Sequence, residues 1–281
     1  MRGLRSLLLA LLTLLPVSLP AAAPRIISGL HNPESVLVGP DGRIYVSEIG
    51  EFGRAGDGRI RVLGADGQMQ VFAEGLDDPK GLAIFGNDLY VADRARVLRV
   101  GMDGRWSVFA AASAFPSRPQ FLNDLEVDAQ GNVYVSDSGD LNGRGGAIYR
   151  IARSGKVAQV VSGTADRRLL APNGLLMDGS SHLLTVDFVS GVLYRVKLRT
   201  GEMEQVSSSF GGGDGIVRGS GGILYVSDWK NGKVFSVNKA GEVKAVASGY
   251  QAAADLGITR DSAFLLVPDM KAGVVHWVPL R

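Results

Sequence analysis

One motif recurs six times along this chain. PESVLVGPDGRIYVSE (33–48), PKGLAIFGNDLYVAD (79–93) and LNDLEVDAQGNVYVSD (122–137) are followed by PNGLLMDGSSHLLTVD (172–187), GDGIVRGSGGILYVSD (213–228) and ADLGITRDSAFLLVPD (254–269). Each holds two short strands around a tight turn and ends in an acidic residue. A third strand follows, as in AIYRI, VLYRVKL or KVFSV, and then a fourth, such as MQVFAEGL or VKAVASGY. Four strands repeated at a spacing of 41–50 residues predict an all-β, six-bladed β-propeller. A sandwich would not repeat at this period.

The two ends complement each other. The last unit stops at VVHWVPLR without a fourth strand, and PRIISGL (24–30) looks like a fourth strand lacking its first three. The N-terminal strand is therefore expected to complete the C-terminal blade, which closes the ring and leaves few sheet edges exposed. One propeller domain spans 24–281.

Residues 1–23 read as a secretory signal: Arg2 and Arg5, an apolar run from Leu7 to Leu15, and small residues Ala21 to Ala23. The expected product is a secreted, periplasmic protein with no membrane attachment after cleavage. Without the signal, Lys+Arg falls from 30 to 28 against 28 Asp+Glu, so the mature chain is near neutral. No basic cluster is interleaved with aromatics, so a nucleic-acid partner has no support. The chain has no Cys, so no disulfide framework is present.

Hairpin geometry sorts the loops by face. Turns between first and second strands are short, whereas EIGEFGRAGDG, AAASAFPSRPQFLND, SGDLNGRGG and SGTADRRLLAPNG gather on the opposite face. Long loops on a rigid scaffold are where binding is usually built. Two sets of polar positions repeat on that face. Glu48, Asp93, Asp137, Asp187, Asp228 and Asp269 end the second strands, and their uniformity reads as carboxylates accepting turn N–H groups. The inner set opens the first strands: Glu34, Lys80, Asn123, Asn173, Asp214 and Asp255. First strands line the channel, so these six are expected to converge at its mouth.

That inner set carries three negative charges and one positive. Like charges gathered in one place repel unless a cation lies between them. Carboxylate and amide oxygens suit Ca²⁺, with Mg²⁺, Mn²⁺ and Zn²⁺ as alternatives. A plainer reading makes the asparagines turn formers and pairs Lys80 with Glu34.

Glu34 in NPESVLVGPDG, Asn123 in LNDLEVD, Asn173 in PNGLLMDG and Asp214 in GDGIV together resemble the senescence marker protein/gluconolactonase family, relatives of diisopropylfluorophosphatase and paraoxonase. The resemblance implies a six-bladed propeller with one divalent cation at the channel mouth. Glu34, Asn173 and Asp214 would be its ligands, and Asn123 a fourth ligand or a substrate contact. Gluconolactonase-type members typically carry a basic residue two positions before this asparagine; here it is Phe121. No histidine pair of the paraoxonase type is visible.

Residues following the second acidic set, Ile49, Arg94, Ser138, Phe188, Trp229 and Met270, are expected to rim the pocket together with Phe121, and Phe121, Arg94, Phe188 and Trp229 are the expected substrate contacts. This rim suits an apolar lactone or related ester. The reading is a metal-dependent hydrolase in which Asp214 or Asp255 assists the attacking water. The alternative is a non-catalytic propeller, because the units also resemble NHL-type repeats (GLxxDxxGxxYVxD) that bind a protein, glycan or small ligand. Metal binding together with ester turnover separates the two.

Overall fold

The computed structural model describes residues 25–64 and 66–280; the expected secretory segment, 1–23, lies outside the described residues. Six four-stranded antiparallel sheets form six blades. Blades one to five span 33–76, 79–110, 122–162, 172–208 and 213–248. Blade six joins three strands of 257–279 to Ile26–Ile27, which pairs antiparallel with Val274–Pro279 in the register Ile26↔His276. The ring therefore closes as expected, and Ile27 is buried in the seam. Among the described residues, no helix is long and apolar enough to cross a membrane.

The hydrophobic core is divided among the blade interfaces. Second and third strands supply its most buried members, including Val91, Leu98, Ile148, Val186 and Val226, all at 0% exposure. Alternation along these strands sends apolar residues against the neighbouring blade. Fourth strands expose runs of two or three consecutive residues, in keeping with their place at the outer edge.

The first strands are less regular, and the irregularity matters for the site. Blades one to five each carry a register shift just after the first strand begins, for example between Pro33 and Val36 and between Leu122 and Leu125. Such a bulge turns two consecutive residues where regular pleating would turn one. In blades one, three and five a second-strand serine takes the displaced N–H: Ser47 Oγ accepts from Ser35, Ser136 from Asp124 and Ser227 from Gly215, at 2.8–3.0 Å. The recurring serine before the acidic residue is thus part of the bulge.

The bulges line the channel with two layers. The upper holds Glu34, Lys80, Asn123, Asn173 and Asp214; the lower holds Ser35, Gly81, Asp124, Gly174, Gly215 and Asp255. Six strands meeting at one axis leave little room, and the glycines answer that crowding. A Cβ on Gly81 would lie 2.5 Å from Asp124 Oδ1, and one on Gly215 would lie 2.2 Å from Asp255 Oδ1.

Blade six departs from the expected alignment. Ala253 pairs with Asp269, whereas Pro33 pairs with Glu48, and the following pair is Gly257↔Leu266. Its bottom turn is one residue longer, so counting 14 residues back from Asp269 lands one position too deep. Ala254 holds the place that Glu34 holds in blade one. Asp255 sits in the lower layer and bridges to Ser35 of blade one.

Candidate active site

The second acidic set holds the upper loops in place. Asp93 accepts the N–H groups of Asp77 and Asp78 at 2.9 Å, Asp187 those of Leu170 and Ala171 at 2.7–2.8 Å, and Asp269 those of Gln251 and Ala252 at 2.8–3.0 Å. Glu48, Asp137 and Asp228 make equivalent contacts to the segments entering their own blades. Each carboxylate fixes the chain just before an inner residue, so this set orients the site without forming it.

Above the upper layer lies a cavity of about 280 Å³. Its floor is Glu34, Asn123, Asn173 and Asp214, each at most 5% exposed. Eight buried side-chain polar atoms lack a hydrogen-bond partner among the described residues. Four of them are Glu34 Oε2, Asn123 Oδ1, Asn173 Oδ1 and Asp214 Oδ1, all on this floor. Buried polar atoms are otherwise almost always satisfied. The orientation of Asn123 is fixed from behind, since its Nδ2 donates to Ser138 Oγ at 3.2 Å and Ser138 donates to the Pro172 carbonyl at 2.8 Å. Its Oδ1 is therefore turned to the floor.

Electrostatics point the same way. Burial, and after it the nearby Asp214 and Asp255, push the Glu34 carboxyl well above the ordinary carboxylate range. Burial and Asp255 do the same to Asp214. Two carboxylates held dry with bare oxygens are a site short of positive charge. Among the described residues no three His, Cys, Asp or Glu side chains converge as a metal-binding group. This floor reaches four oxygen donors by including two amides, a composition suited to a hard divalent cation. The four residues fit such an ion.

Lys80 does not pair with Glu34. Its ammonium lies 4.3 Å from the centre of the Phe121 ring and donates to the Asp78 carbonyl at 3.1 Å. Burial lowers its pKa, with Glu34 and Asp78 acting against that.

The walls are largely apolar. Phe121, Phe188 and Trp229 line the cavity as expected, joined by Ile49 and Met270. Phe52 and Leu141, from the long loops of blades one and three, also reach it; loop length signalled those segments but not which side chain would turn inward. Arg94, expected at the rim, is half exposed, lies 3.8 Å from Asp78 and does not line the cavity. With φ at +59°, its left-handed backbone turns it away from its neighbours' course. Asp255, expected at the mouth, lies beneath the floor, where it accepts the Ser35 hydroxyl at 2.6 Å. Burial raises its pKa to about 7.

A closed six-bladed ring with four converging, unpartnered oxygens beneath an aromatic pocket makes this a six-bladed β-propeller with a cavity at the mouth of its channel. The family model described as SMP-30/Gluconolactonase/LRE-like region matches residues 81–254, and the chain belongs to that family. A search of curated proteins finds no match. Among solved structures, a gluconolactonase from Xanthomonas campestris is 18% identical at a TM-score of 0.75, covering 92% of this chain and 91% of that one. A calcium-binding protein, regucalcin, from Agrobacterium tumefaciens is 20% identical at 0.73, covering 91% and 93%. Virginiamycin B lyase from Staphylococcus aureus is 13% identical at 0.63, covering 92% and 100%. At these identities the likeness is one of fold.

Proposed function

We propose that this chain is an exported, metal-dependent hydrolase of a lactone or related ester. The observation that carries the reading is the convergence of four unpartnered buried oxygens, from Glu34, Asn123, Asn173 and Asp214, beneath an apolar pocket. These residues would hold one divalent cation, Ca²⁺ by their hard-oxygen character. When bound, such an ion supplies Lewis-acid polarisation of a carbonyl and charge stabilisation for its oxyanion.

The chain's own groups supply the rest. Phe121, Phe188 and Trp229 hold the apolar part of the substrate and exclude water from it. Asp214 is the carboxylate at the floor that accepts a proton from the attacking water. Asp255, one layer down, touches neither substrate nor water at the floor; in the cation-free chain burial, and after it the charge of Asp255, raises the pKa of Asp214. Ser138 positions Asn123 through the amide. Membership in the family, together with neighbours that include a gluconolactonase, supports lactone chemistry. The signal-like pattern of residues 1–23 supports export.

The test is a calorimetric Ca²⁺ titration of the chelator-treated mature protein beside Asn173→Ala and Glu34→Gln, paired with hydrolysis of an alkyl δ-lactone. The expected result is one-site binding lost in both variants, with turnover that chelation abolishes. A wild type that binds no divalent cation, or turnover that survives chelation, overturns the proposal.

A further inference from the structure

The aromatic walls of the pocket carry an outer layer of cations. Lys230 Nζ lies 4.3 Å from the centre of the Phe188 ring and donates to the Phe188 carbonyl at 3.0 Å. Lys271 Nζ lies 4.4 Å from the centre of the Trp229 ring. The two rings meet edge to face, with centroids 6.1 Å apart. Phe188 and Trp229 line the cavity and the two exposed lysines do not, so the ammonium groups stand outside the cavity beside its aromatic wall.

The arrangement repeats from blade to blade. In DFV, DWK and DMK (187–189, 228–230 and 269–271), the residue after the acid forms the rim. The next residue, where it is lysine, reaches back over the previous blade's aromatic ring. Lys230 of blade five covers Phe188 of blade four, and Lys271 of blade six covers Trp229 of blade five.

Among the described residues, no carboxylate lies within ion-pair distance of Lys80, Lys230 or Lys271. The neighbouring Asp228 and Asp269 are buried, and their oxygens are taken by backbone N–H groups and by Asn231. A divalent cation on the floor would balance Glu34 and Asp214, leaving a pocket that is apolar within and positive at its rim.

We infer that this site selects ligands that are both apolar and anionic. On the hydrolase reading given above, the substrate is a lactone or ester with a hydrophobic body that lies against Phe121, Phe188 and Trp229. It also carries a carboxylate, held at the rim by Lys230 and Lys271. Neither the bare apolar lactone nor an uncharged sugar lactone uses both parts of the site. Cation–π contacts hold the lysines over the rings, so the rim charge is already in place when the ligand arrives.

Two dyes of the same aromatic body test the charge requirement without turnover. 1-Anilinonaphthalene-8-sulfonate is anionic, and N-phenyl-1-naphthylamine lacks the sulfonate. With the Ca²⁺-loaded mature protein, the anionic dye is expected to bind at one site about tenfold more tightly, the order expected for two cations at partly exposed distances. The double variant Lys230→Met/Lys271→Met is expected to bring the two dyes within about twofold of one another. In 0.5 M NaCl the wild-type preference is expected to shrink for the same reason, a check that needs no variant. Trp229→Leu is expected to remove the bound dye.

Equal binding of the dyes by the wild type overturns the inference. So does a preference unchanged in the double variant and in salt, or anionic dye still bound in Trp229→Leu. Lactone turnover is measured separately. Dye preference without turnover of any lactone overturns the hydrolase reading and leaves the anionic rim standing. Turnover without dye preference does the reverse.

Discussion

Asp255→Asn in the cation-free protein offers the sharpest check on the channel electrostatics. In the folded protein this carboxyl titrates at about 7 against an ordinary 3.8, because it is buried. A carboxyl raised in the fold keeps its proton longer there than in the unfolded chain. Its contribution to stability is therefore complete below about pH 4 and is lost as pH rises through about 7. The interval corresponds to about 4 kcal/mol in all, of which about 2.5 kcal/mol falls between pH 5 and pH 8. Asparagine cannot ionise, so the variant should lose that part of the pH dependence. It can accept from only one of the two donors that Asp255 serves, Ser35 Oγ and the Leu256 N–H. That lost bond costs about 1 kcal/mol at every pH. The assay is urea unfolding in chelator at pH 5 and pH 8. About 1.5 kcal/mol of the wild-type loss has already occurred by pH 5, so the expected result is a variant close to wild type at pH 5 whose advantage grows by about 2.5 kcal/mol by pH 8. Parallel pH profiles for the two proteins would refute the reasoning.

Four further outcomes follow from the geometry. Ser138→Ala releases the Asn123 amide and should weaken Ca²⁺ binding by about tenfold in calorimetry, in the range of second-shell effects. Asp187→Ala strips the acceptor from Leu170, Ala171, Val189 and Ser190; urea unfolding should show a loss of about 3–5 kcal/mol, against under about 0.5 kcal/mol for the exposed Asp103→Ala. Phe121→Ala should raise KM for an apolar lactone about tenfold with little change in kcat, as expected when uniform binding is removed. Deleting residues 25–28 opens blade six at its edge, and the mature protein should melt several degrees lower and self-associate in light scattering.

The fold was legible because its information is local and repeated. A hairpin pattern six times over, with complementary ends, admits few arrangements other than a closed ring. Periodicity made Glu34, Asn123, Asn173 and Asp214 legible as inner positions, each 14 residues before its acidic residue, and the resemblance to the gluconolactonase family, not the spacing, set them apart from Lys80 and Asp255 as the ligand set. Asp255 was misplaced because that count assumes a constant bottom turn, and blade six has one residue more. Arg94 was misplaced because its left-handed backbone aims it outward, which no alternation pattern encodes.

The sequence by itself therefore determined the blade count, the closing strand, the face of the long loops and the inner positions that open the first strands, since each depends on periodicity along one chain; the resemblance to a known family narrowed those positions to four. Only the tertiary structure decided what lies across blade boundaries. It turned Lys80 from Glu34 to Phe121, put Asp255 beneath the floor, brought Phe52 and Leu141 to the wall and set Lys230 and Lys271 over rings of the preceding blade. Those outcomes follow from packing between segments distant along the chain, where distance, burial and competition for donors choose the partner.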